Sequence, residues 1–199
     1  MGRIKYMDDF KEHFKGRIYF SSRDAEIFLK SSGAKKDYIK LMLHNLEKRN
    51  DIFRLKRGYY TFNVNLDYIG FIFSPFYYGL QDALSLHGFW EQETNPVIIT
   101  TRKVRTGIRE VGGRNVIIHR INRRFFFGYQ SLKVGNSYVP VSDPEKTLLD
   151  FAYFRLNIPD EALKRIIQEI DIQRLHIYLK KTNKAVVNKV NSWLLSNKN

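Results

Sequence analysis

The chain has 199 residues, of which 43% are hydrophobic and 15% aromatic, and it contains no cysteine. That composition excludes a disordered basic tail, a disulfide scaffold and any cysteine-ligated zinc or iron–sulfur site. No run approaches the ~18 apolar residues of a membrane span, and MGRIKYMDDF lacks the apolar core of a signal peptide, so a cytoplasmic location without a membrane partner is expected.

Charge is the strongest bulk signal. There are 34 Lys and Arg against 20 Asp and Glu, a net of +14, which favours a polyanionic partner through release of condensed counterions. Residues 1–62 hold 15 basic and 8 acidic side chains, a net of +7, so half the excess sits in less than a third of the chain.

In chain order, Asp8–Lys15 reads as a short helix, with Phe10 and Phe14 one turn apart, followed by a short strand at Ile18–Phe20. Ser21 and Asp24 have the spacing of a helix start, in which the hydroxyl caps a free N–H, and Ser31-Ser32-Gly33 ends that helix. A third helix is expected from Lys35 to Arg49, with Ile39, Met42, Leu43 and Leu46 forming its inner stripe. Its other face carries Lys36, Lys40 and His44, with Lys35 at the leading end, the layout of a helix that enters a major groove N-terminus first. Residues 52–55 and 59–62 make a hairpin whose tip carries Lys56 and Arg57, placed as a wing would be to hold the DNA backbone or minor groove.

A polar link at Asn63–Asp67 suggests a boundary, giving domains 1–64 and 65–199. Beyond it, an extended run over 68–73, a helix at 78–87, strands at 97–101 and 116–121, and a hairpin of 125–132 with 137–141 around Gly135-Asn136 are expected. Ser142 and Glu145 fit a capping box, with Pro144 in the first helical turn, and further helices are expected at 160–170, 172–181 and 184–195. The fold class is therefore α+β: a winged helix-turn-helix, then a small, mainly antiparallel sheet domain with C-terminal helices.

No catalytic constellation emerges. His87 closes a helix, Glu145 belongs to the expected cap, and Lys146 with Asp150 has the spacing of a surface i, i+4 pair. His13, His44, His87, His119 and His176 show no metal-ligand spacing, and there is no phosphate-binding loop, so neither metal nor cofactor is expected. Arg102, Lys103, Arg105, Arg109, Arg114, Arg120, Arg123 and Arg124 form a second basic stretch, either an extension of the nucleic-acid surface or a solvated sheet face. The expected function is operator binding by a transcriptional regulator, with two copies on a DNA repeat; the alternatives are an enzyme acting on nucleic acid, a nuclease for example, and a protein-docking module.

Several blocks also resemble a known family. Tyr77-Tyr78-Gly79-Leu80-Gln81-Asp82-Ala83-Leu84-Ser85-Leu86-His87-Gly88, Pro96-Val97-Ile98-Ile99-Thr100-Thr101, Phe127-Gly128-Tyr129 and Val141–Asp150 look like successive motifs of AbiEi-type proteins, and Phe53–Tyr60 looks like their wing. The resemblance spans about residues 15–155 in the family's order. It implies an N-terminal winged helix for DNA, autorepression, and a C-terminal domain acting as antitoxin in a type IV toxin–antitoxin pair whose toxin is of nucleotidyltransferase type; a stand-alone regulator of the same build is the alternative.

Overall fold

A computed structural model describes residues 6–62, 66–92, 94–135 and 137–197. The chain is α+β and divides into two compact units, Met1–Ile72 with Glu110–Arg114, and Phe73–Arg109 with Asn115–Asn199. Of the expected link, Asn63–Asn65 lie outside the described residues, as does Asn136 of the expected turn; residues 66–72 group with the first unit.

The first unit runs α1 (Met7–Lys15), β1 (Phe20–Ser21), α2 (Ser22–Ser31), α3 (Lys36–Lys48), β2 (Phe53–Lys56) and β3 (Tyr59–Thr61). The α2 start follows from local chemistry. Ser21 Oγ accepts from the Asp24 N–H at 3.1 Å, and the Asp24 carboxylate accepts from the Ser21 N–H at 2.8 Å, so two otherwise orphan donors are satisfied reciprocally. The three strands form an antiparallel sheet of order β1-β3-β2, with Phe20 opposite Tyr60 and Phe53 opposite Thr61. Its core joins Phe10 and Phe14 of α1 to Phe20, Leu29, Ile39, Met42 and Leu46, all fully or nearly buried. Phe14 sits 4.8 Å from Phe10 and 4.7 Å from Phe20 between ring centres, so one aromatic cluster fixes α1 on β1.

Residues Leu66–Phe73 form a 3-10 helix, where an extended run was expected over 68–73. The buried positions explain the difference. Ile69 and Ile72 are the deeply buried isoleucines of the run, and a three-residue turn places i and i+3 on one side, whereas a strand would separate them.

The second unit contains β4 (Phe76–Tyr78), α4 (Leu80–Leu86), β5 (Val97–Thr100), most of β6 (Gly107–Val111) and of β7 (Arg114–Arg120), β8 (Tyr129–Val134) and β9 (Ser137–Ser142). Then come α5 (Pro144–Phe154), α6 (Asp160–Glu169), α7 (Ile172–Leu179) and α8 (Lys184–Ser196). The strands form one six-stranded sheet of order β6-β7-β5-β4-β9-β8. It is mixed: β5 runs parallel to β7 and β4 parallel to β9, while β4 with β5 and β8 with β9 are antiparallel. The expected helix over 78–87 starts only at Leu80, because Phe76–Tyr78 is taken up as a central strand with all three residues buried. On one side of the sheet Tyr77, Val97 and Ile99 pack with Leu148 and Phe151 of α5 and with Leu163 and Ile166 of α6; α7 and α8 add a further cluster around Leu149, Leu175 and Val190.

Candidate nucleic-acid face and a buried charge network

In the first unit, α3 separates its faces as its sequence period demands. Ile39, Met42, Leu43 and Leu46 are buried, and Lys36, Asp37, Lys40, Leu41, His44 and Lys48 are exposed. Lys35 is the N-cap residue, in extended backbone, and is exposed as well. Among the described residues no ion pair engages Lys35, Lys36 or Lys40. Their field is nevertheless felt nearby. The Glu26 carboxyl on α2 is held below its ordinary value, first by its hydrogen bond from Lys30 and further by the charges of Lys30, Lys36 and Lys40. The four exposed groups Lys35, Lys36, Lys40 and His44 thus share one helix and one solvent side.

The two cations at the β2–β3 tip divide. Arg57 is exposed, as expected. Lys56 is half-buried; its Nζ donates to the Ile72 carbonyl at 3.2 Å and lies 4.4 Å from the centre of the Tyr59 ring, so it already has partners. The turn itself is fixed to α2. The Gly58 carbonyl accepts from the Ser22 N–H at 2.9 Å and from the Ser22 hydroxyl at 3.2 Å, while Gly58 takes φ +78, a conformation an L side chain rarely adopts.

The second basic stretch separates into two groups. Parallel pairing puts Thr100 opposite Arg120, so the chain leaves β5 toward Arg102 and Lys103 beside the place where it leaves β7 toward Arg123 and Arg124. Lys103, Arg105, Arg120, Arg123 and Arg124 are exposed, whereas Arg102 is half-buried. Arg109, on the edge strand β6, spends its guanidinium on the Ile108 and Thr106 carbonyls at 2.8 and 3.0 Å. Arg114 belongs to the 110–114 segment of the first unit and is exposed.

The residues that the sequence disfavours as a catalytic set have an unexpected setting. Lys146 and Asp150 are not a surface pair; their side chains are 2% and 1% exposed. Lys146 Nζ donates to Asp150 Oδ1 and, at 2.9 Å, to the Tyr77 hydroxyl, which in turn donates to Asp150 Oδ2 at 2.9 Å. The ammonium also lies 5.2 and 5.5 Å from the centres of the Tyr77 and Phe127 rings. Burial pushes the Asp150 carboxyl up against the opposing pull of Lys146, and pushes Lys146 down against that of Asp150; the Tyr77 hydroxyl is raised well above its ordinary value, mainly by burial.

The α5 cap also differs from expectation. Asp143, not Ser142, is the N-cap, accepting from the Lys146 N–H at 2.7 Å, because Ser142 is still the last residue of β9. Glu145 therefore closes no capping box. It is buried and accepts from the Asp171 N–H at 2.5 Å, with Arg174 of α7 3.6 Å from its other oxygen. Tyr178, also on α7, donates to Asp143 at 2.8 Å, and its hydroxyl is raised by burial and by this bond. Gly128 makes the approach possible: at φ +68, a Cβ there would come within 2.8 Å of the Tyr178 ring and 2.9 Å of Lys146 Cβ. His87 stands apart from Lys146. It is the C-cap of α4, and its Nε2 lies 2.8 Å from the Ser142 carbonyl. The network thus ties β4, α5 and α7 together. Sequence reasoning found Lys146 and Asp150 but missed Tyr77 as their partner and the Asp143–Tyr178 bond beside them; only the largely apolar run Leu148–Ala152 hinted that the helix is buried all round.

A further, half-buried carboxyl lies at the start of α4. Asp82 accepts from the Val97 N–H at 3.2 Å, and burial pushes its carboxyl up to about 7, against the opposing hydrogen bonds from Val97 and Thr94. With a folded value above the unfolded one near 3.8, the native state holds this proton more tightly. Its contribution is complete below that lower value and is lost as pH rises through about 7. Asp82→Asn keeps an acceptor for Val97 and removes the titration. Wild-type stability should fall by about 2–4 kcal/mol more than that of the variant between pH 4 and 8. Parallel pH profiles in urea denaturation of the two proteins would remove this account.

Among the described residues no group of three or more His, Cys, Asp or Glu side chains could hold a metal ion, and no helix is long and apolar enough to cross a membrane. The molecule is defined at this level as an α+β protein of two compact units with a mixed sheet. No family model and no curated protein matches the chain. Its structure is similar to the crystal structure of the RV2827C protein from Mycobacterium tuberculosis, with a TM-score of 0.65 and 12% identity over 97% of this chain and 77% of that one. At that identity the likeness is one of fold.

Proposed function

We propose that the chain is a DNA-binding transcriptional regulator in which the first unit acts as a winged helix-turn-helix, α3 as the helix that reads the major groove and the β2–β3 hairpin as the wing. The observation that carries this reading is the exposed row Lys36, Lys40 and His44 on α3, with neither lysine in an ion pair among the described residues. Exposed, unpaired lysines on a helix whose other face is anchored in a core can exchange counterions for phosphates without breaking internal bonds. Arg57 adds a cation at the hairpin tip, whereas Lys56, held on Ile72, serves the hairpin's packing.

Within this reading the protein works in the cytoplasm on double-stranded operator DNA, in two copies on a repeat. The resemblance to AbiEi-type proteins supports autorepression and an antitoxin role for the second unit toward a nucleotidyltransferase-type toxin. Fluorescence anisotropy with DNA from upstream of its own gene and a scrambled duplex tests it, at two salt concentrations with and without magnesium. A preference of about a thousand-fold or more for the upstream DNA is expected. Equal, salt-sensitive binding to both duplexes would leave a nonspecific binder, and loss of DNA in magnesium would favour a nuclease.

A further inference from the structure

The first unit carries a cavity that the DNA reading does not use. It has a volume of about 130 Å³ and lies where the first residue of α1 meets one stripe of α3. Met42 and Leu46 are the buried members of its lining, Met7, Tyr38 and Leu41 are more accessible, and Asn45 and Arg49 supply polar groups. Leu41 is 57% exposed, high for a leucine bordering a core. Among the described residues the lining carries one charge, the Arg49 guanidinium, and no carboxylate. Arg49 is exposed and engages in no ion pair among the described residues.

We propose that this cavity is a binding site for a small carboxylate with an apolar, single-ring body. An apolar floor with one cation and one amide at the rim orients such a ligand, because the ring leaves water while the carboxylate stays paired. Arginine presents two parallel donors to a carboxylate, and Asn45 can donate a further bond. The two methionine side chains adapt to a flat ring without fixed shape demands. The volume lies below the ~300 Å³ of drug-sized pockets, which sets the limit at one ring. The site lies on α3 at positions 38, 41, 42, 45, 46 and 49, and the exposed Lys36, Lys40 and His44 are not among its lining residues.

The test uses amide ¹H–¹⁵N spectra of the full chain, titrated with benzoate and, separately, with benzyl alcohol, which has a similar body and no charge. Benzoate should produce saturable shifts centred on Met7, Tyr38, Met42 and Asn45, with a dissociation constant on the order of millimolar for so small a ligand. Benzyl alcohol, and benzoate with the Arg49→Gln protein, should each bind about ten-fold more weakly, the expected effect of losing the solvent-exposed guanidinium–carboxylate pairing. Unchanged shifts elsewhere in the variant verify its fold. Absence of saturable shifts, or equal affinity for acid and alcohol, would overturn the proposal. So would shifts of the same amides with protein concentration alone, which would give the cavity to a second copy of the chain. No DNA is present, so either result stands apart from the outcome of the anisotropy experiment.

Discussion

Replacing Lys146 with Met should destabilise the second unit by about 3–5 kcal/mol, the range for removing one partner of a buried ion pair. The ammonium is the counter-charge of an Asp150 carboxylate that is almost wholly buried, and without it that oxygen pair keeps, among the described residues, the Tyr77 hydroxyl. The penalty should depend on pH. Burial already raises the Asp150 carboxyl, and losing Lys146 raises it further, so the variant should recover stability at acid pH, where Asp150 takes a proton. Lys146→Met combined with Asp150→Leu should recover much of the loss, since an apolar pair of similar volume needs no counter-charge. Both tryptophans of the chain, Trp90 and Trp193, lie in the second unit and pack against its core clusters, so their fluorescence during denaturation reads this unit. A loss below about 1 kcal/mol for the single variant would mean that the pair is solvated in solution.

Lys36→Ala with Lys40→Ala carries the second large effect, on affinity rather than stability. Both side chains are exposed and outside any ion pair among the described residues, so stability should change by no more than about 0.5 kcal/mol. Affinity for operator DNA should fall about a hundred-fold at moderate salt, and the slope of log affinity against log salt should shallow by about 1.8, roughly 0.9 for each phosphate no longer neutralised. The slope makes the test specific. A drop in affinity with an unchanged slope would place the lysines on bases rather than phosphates, and no change in either would remove α3 from the interface.

Legibility followed the range of the interactions involved. The boundaries of α2 and α3, the inner stripe of α3 and the helices after residue 160 were readable, because capping chemistry and the 3.6-residue period act within a few residues of each other. Ser21 with Asp24 is the clearest case: the spacing predicted the hydroxyl cap that the structure contains, and the Asp24 carboxylate adds the return bond to the Ser21 N–H. The same motif logic failed at Ser142 and Glu145. There a strand ran one residue further than expected, Asp143 became the cap, and Glu145 was left to reach the N-terminus of α7. The exposed cations of α3 were legible as a candidate face, yet the engagement of Lys56 with a carbonyl from the 3-10 helix was not.

Capping chemistry and periodicity specified α2, α3 and the helices after residue 160, and composition specified the net positive charge and its concentration in the first third. That β4 is a strand, that the sheet is mixed, and that Lys146 and Asp150 are buried followed from tertiary contacts. Each depends on partners distant in the chain: Val141 beside Tyr78, and the Tyr77 hydroxyl and the Phe127 ring around Lys146. A lysine four residues before an aspartate on a helix has the same local pattern whether water or a sheet lies above it. The cost of removing both charges from water, and the bonds that offset it, arise only when β4, α5 and the Phe127–Tyr129 segment come together.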